Sequence, residues 1–187
     1  VLQETTGNNT LLRTAGGRDL RIERFGTWGG SRAWNRRSSP RMGFGDEMFI
    51  DAATGFPSRA LAHEVVFHEI GHNWDDRNER DWEAETDDYN WLGLSGWTED
   101  DMSGDPSFSG SGDGNWWHLN TSDIDFVRDG SITGIDSYSM HDPREDFASH
   151  FAAYFMREAE EAPVSSLAIA TAPDKEAFLD DFINSLT

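Results

Sequence analysis

The chain has 187 residues, enough for one domain with a real core and too few for two comfortable ones. Its 35 acidic residues stand against 15 basic ones, a net charge of −20 that argues against nucleic acid and anionic membrane surfaces as partners. It has no cysteine, which excludes disulfides and thiolate ligands, and no apolar run long enough to span a bilayer.

Residues 19–25 alternate apolar and charged side chains as a half-buried strand does, and residues 47–51 read as a second short strand. Together they predict a small N-terminal mixed sheet within residues 1–57. Between them Arg32, Arg36, Arg37 and Arg41 concentrate positive charge in a Gly/Ser-rich loop, read as a solvated loop that offsets nearby acids.

Residues 58–74 read as a helix. Pro57-Ser58 supplies a stop and an N-cap, and Leu61, Val65, His68 and His72 fall on one stripe. Each helical residue turns about 100°, so His68 and His72 stand one turn apart on the same face and can grip one metal ion, with Glu69 beside them as a general base. Without cysteine the remaining ligands are histidine or carboxylate, and one catalytic Zn2+ is the expected ion. Gly71, between the two histidines, costs about 1 kcal/mol of helix propensity and predicts the close approach of another element.

Residues 75–137 form an acidic Gly/Ser/Trp-rich insert, expected to be irregular and to serve as a lid or rim. Its Trp82, Trp91, Trp97, Trp116 and Trp117 are read as anchors of loops to a core more readily than as substrate contacts. At residues 125–136 the spacing of Asp125, Asp129-Gly130 and Asp136 partly matches a Ca2+ loop of the EF-hand type. Val127 spoils one ligand position, and a hairpin with an Asp-Gly turn explains the segment as well. Two helices follow: residues 143–160 with Phe147, Phe151, Tyr154 and Phe155 on one stripe, and residues 174–186 with Phe178, Leu179, Phe182 and Ile183.

Catalytic zinc takes three protein ligands and leaves a place for water. A metzincin pattern fails, because Asp75 and Asn78 stand where its glycine and third histidine belong, although Ser139-Met140-His141 superficially resembles its methionine turn. Glu145 is the better candidate. Its position also suits a capping box, with Asp142 as N-cap and Pro143 at the first helical position, so the residues alone leave ligand and cap both open.

His-Glu-x-Gly-His on one helix, Glu-Asp-Phe-Ala at the start of a later one and a tyrosine seven residues ahead resemble the gluzincin peptidases, in particular the lethal-factor-like and Pro-Pro-endopeptidase-like group. The resemblance covers residues 60–154. It implies an α+β, zincin-like catalytic domain, with Glu145 as third ligand and Tyr138 facing the substrate carbonyl. It departs at Ser149, where many relatives carry a glutamate, so the group orienting the zinc histidines is sought among Asp146, Asp75 and Asp76. His63 lies about 140° around the helix from His68 and is not expected to share its ion; His118 and His141 are read as ordinary surface or rim histidines, and His150 is left without an assigned role.

The expected function is zinc-dependent endopeptidase action on a protein or peptide, held extended along an edge strand at residues 47–51. The alternatives are a zinc-stabilised binding or adhesion module, against which the intact Glu69 argues, and a metal-dependent hydrolase of a non-peptide amide. A secreted monomer whose leader has been removed is expected, and an acidic surface nearly free of lysine also suits high salt.

Overall fold

In the computed structural model, residues 1–13, 17–26, 33–36, 40–50, 55, 58–75, 91–100, 116–118, 125–128, 139, 143–162, 169 and 172–187 are described. The N-terminal sheet is mixed, as expected. Strand β1 (Arg21–Phe25) runs parallel to β3 (Arg41–Gly45), and β2 (Ala33–Arg36) runs antiparallel to β3 on its other side.

The strand expected at residues 47–51 is not formed. Asp46–Phe49 makes a 3-10 turn instead, and the strand lies just before it, at Arg41–Gly45. Glycines at positions 43 and 45 hide the alternation from a sequence reading, yet Met42 and Phe44 are both buried on the core face. Gly43 is required there because the ring of Trp34, its register partner, fills the place of a Cβ: the nearest ring atom would stand 2.2 Å away. Since β3 is paired on both sides, the edges of this sheet are β1 and β2.

Helix α1 (Leu2–Thr6) opens the chain, and helix α2 (Arg59–Asp75) follows the sheet. Ser58 caps α2 as expected, its Oγ accepting the Leu61 N–H at 3.2 Å. Packed along α2 is α4 (Pro143–Glu158), which buries Phe147, Phe151, Tyr154 and Phe155. The two helices are antiparallel: His68 of α2 meets Glu145 at the start of α4, while His63, five residues earlier, meets Glu161 just past its end at 2.9 Å. They touch at the predicted glycine. A Cβ on Gly71 would lie 2.9 Å from the Ala148 Cα, closer than side chains tolerate.

The core joins Met42, Phe44 and Met48 to Phe67, Ile70 and Trp74 of α2 and to the aromatic stripe of α4. Helix α5 (Pro173–Asn184) closes it with Leu179 and Ile183 fully buried and Phe178 and Phe182 partly so.

The described residues of the acidic insert include regular elements that its composition does not predict. It holds a short helix α3 (Trp91–Ser95) and a second sheet, with β6 (Asp125–Arg128) antiparallel to both β4 (Trp97–Asp100) and β5 (Trp116–His118). Strands of three or four residues between Gly/Ser-rich stretches carry too little periodicity to be read. Asp125 therefore opens a central strand, whose two partners both lie upstream in the chain. Residues 129–136 lie outside the described residues, as do Trp82, Arg32 and Arg37. Trp91 and Trp97 are buried, in keeping with their reading as anchors. Among the described residues, no helix is long and apolar enough to cross a membrane.

Candidate metal centre

Three side chains from two helices converge. Helix geometry sets His68 and His72 one turn apart on α2, with ring centroids 4.6 Å from each other and planes at 90°. The Nε2 of His68 lies 2.9 Å from Glu145 Oε2, and the Nε2 of His72 lies 3.4 Å from the same oxygen. All three ligand atoms fall within 4.8 Å of one another, and no other such cluster occurs among the described residues.

The spacing can be tested against an ion. Ligand atoms held about 2.0–2.1 Å from a tetrahedral zinc stand about 3.4 Å apart. The His72–Glu145 separation matches that already, and the His68–Glu145 pair has to open by about half an ångström. Two imidazoles and a carboxylate, with no thiolate, are a donor set for zinc with one position left for water. The residues fit the metal.

Protonation favours it as well. Burial lowers the pKa of His68 against the opposing hydrogen bond to Glu145, and the adjacent His72 adds to the lowering, which keeps a ring lone pair available to a cation. Burial alone would raise the Glu145 carboxyl; hydrogen bonds from His68 and His72 outweigh it and hold the group well below the usual carboxylate range. Glu145 is therefore ionised. Its carboxylate reaches across to α2, while Asp142, the N-cap of the capping-box reading, lies outside the described residues.

Glu69 follows His68 on α2 and is buried, 8% exposed. Tyr138 lies outside the described residues, as do His141 and Asp76, and the side chains of Asp75 and His118 are likewise undescribed. His63 pairs with Glu161, away from the cluster, in agreement with its angular offset.

Asp146 differs from expectation. Asp146 does not orient the zinc histidines; it turns to the opposite side of α4, where its Oδ1 lies 2.8 Å from Lys175 Nζ and its Oδ2 accepts the Trp91 Nε1–H at 3.1 Å. His150, which the sequence left without a role, is fully buried, with Nδ1 2.7 Å from the Asp146 carbonyl oxygen and Nε2 3.3 Å from Lys175 Nζ. Burial works against the Asp146 charge, but the Lys175 ammonium and the His150 hydrogen bond hold its pKa down to about 2. Lys175 was not singled out by the sequence reading. The available signal was its place four residues before Leu179, on the apolar stripe of α5, where a charge needs a buried partner.

Compared with known proteins, the chain matches no family model, no curated protein and no solved structure.

Proposed function

We propose that the protein is a zinc-dependent endopeptidase. The observation that carries this reading is the convergence of His68, His72 and Glu145 beside Glu69, in the order the H-E-x-x-H spacing and the gluzincin resemblance lead one to expect. A zinc ion held there would bring the pKa of a water to about 7 and polarise a carbonyl.

The chain's own groups supply the rest. Glu69 takes a proton from the attacking water as its oxygen bonds to the scissile carbonyl carbon. The same carboxyl returns that proton to the amine nitrogen as the C–N bond breaks, so the products are one carboxylic acid and one amine. Tyr138, carried over from the resemblance, donates its hydroxyl hydrogen to the carbonyl oxygen as charge develops there. An extended peptide would pair with β2, the edge strand packed on α2, in place of the segment at residues 47–51.

The test is metal content with activity. Protein purified without added metal and reconstituted with zinc should hold one equivalent and cleave an unfolded protein or a peptide library, and a chelator should stop it. Glu69→Gln should keep the zinc and lose about 100-fold or more in turnover. A variant retaining most of the parent's activity would refute the mechanism.

A further inference from the structure

Helix α4 uses two adjacent carboxylates on different faces. Glu145 reaches α2, while Asp146, one residue and about 100° on, is fully buried on the far side among Trp91, His150 and Lys175. Lys175 is the single lysine of the chain, and it is 2% exposed. Its ammonium lies 2.8 Å from Asp146, 3.3 Å from His150 Nε2 and 4.9 Å from the centre of the Trp91 ring. The Nδ1 of His150 lies 2.7 Å from the Asp146 carbonyl oxygen and 3.0 Å from its Oδ1, while Nε2 faces the ammonium, so the ring bridges the carboxylate and the lysine.

Such a cluster is a costly way to pack helices. Taking an ion pair out of water costs several kcal/mol per ion, and apolar side chains of the same volume hold helices at least as firmly. What apolar packing does not supply is direction. Here donors from α3 and α5, together with His150 of α4, converge on a single carboxylate, next to the residue that must meet two imidazoles. Glu145 lies in the first turn of α4, where helices fray, and a ligand has to be held to a fraction of an ångström.

We propose that Lys175 is a positioning residue for Glu145: acting through Asp146, it fixes the first turn of α4 at the register in which Glu145 meets His68 and His72. This rests on the reading of those three residues as a metal site. It ties metal affinity to α5, an element that contributes no ligand.

The experiment measures zinc affinity by competition with a chromophoric chelator, and the melting temperature of the metal-free protein, for the parent, Lys175→Met and the neutral pair Asp146→Asn/Lys175→Met. The neutral pair leaves no buried charge unpartnered and should melt close to the parent, yet bind zinc about 10-fold more weakly, as orienting partners do. Its cobalt-substituted form should show a shifted visible absorption, because the ligand geometry has relaxed. Lys175→Met alone should lose both stability and affinity. The proposal is overturned if the neutral pair folds and keeps the parent's zinc affinity within twofold, or if affinity merely follows melting temperature across the three proteins. Failure of the neutral pair to fold overturns it too, by making the cluster a condition of the fold and not of the ligand's place. A parent that binds no zinc would instead remove the metal site itself, and that outcome is read before any variant is made.

Discussion

Helices α2 and α4 both carry metal-ligand candidates, but they come to that role differently. On α2 the two histidines meet because four residues make about one turn, and nothing outside the helix is needed to bring them together. On α4 Glu145 arrives by tertiary packing: Gly71 lets Ala148 approach, the aromatic stripe fixes the facing side, and the Lys175 cluster braces the back. Local spacing sets one half of the centre and long-range packing the other, so damage to the two halves should look different.

The largest effect is expected where the halves meet. Glu145→Gln should weaken zinc by more than about 100-fold, beyond what loss of a merely orienting partner costs, with little change in the fold. A helix-capping glutamate would instead cost about 1 kcal/mol of stability and leave zinc in place, so equilibrium dialysis separates the two.

A smaller effect is expected at the contact. Gly71→Ala gains about 1 kcal/mol of helix propensity, but its Cβ meets backbone at 2.9 Å, and overpacking of that kind costs typically 1–3 kcal/mol. Net loss of stability together with weaker zinc binding is the expected outcome in thermal melts and dialysis. Adding Ala148→Gly should rescue only part of it, because the nearest atom is the Ala148 Cα and not its Cβ.

The smallest effect belongs to α2 alone. Ser58→Ala removes the cap bond to the Leu61 N–H and should cost about 1 kcal/mol, with zinc affinity unchanged since the histidines lie more than two turns away. A large loss of zinc in that variant would contradict the self-contained character assigned to α2.

What was legible in the sequence follows the same division. The cap at Ser58, the stripe ending in His68 and His72, and the aromatic stripes of the last two long helices were readable because a helix repeats its pattern over several turns. Glu145 was readable as a pair of alternatives, and its contact with both imidazoles is what the ligand alternative calls for. The strand at Arg41–Gly45 was missed because glycine, required there by the ring of Trp34, resembles a loop signal. Strands β4, β5 and β6 were missed because three or four residues hold barely one period. The roles of Asp146, His150 and Lys175 depend on a meeting across 29 residues of chain, which no local pattern encodes.

The antiparallel pairing of α2 and α4 carries an electrostatic consequence of its own. Backbone dipoles leave partial positive charge at a helix's N-terminal end and partial negative charge at its C-terminal end, worth about 0.3–1 kcal/mol to a well-placed ion. His72 stands in the last turn of α2 and Glu145 in the first turn of α4. A cation beside His72 and an anion at position 145 are therefore each favoured by the peptide groups of their own helix. Had the two helices run in the same direction, one of these two fields would oppose its ion. The backbone is polarised for a carboxylate-bound cation independently of any side chain that surrounds it.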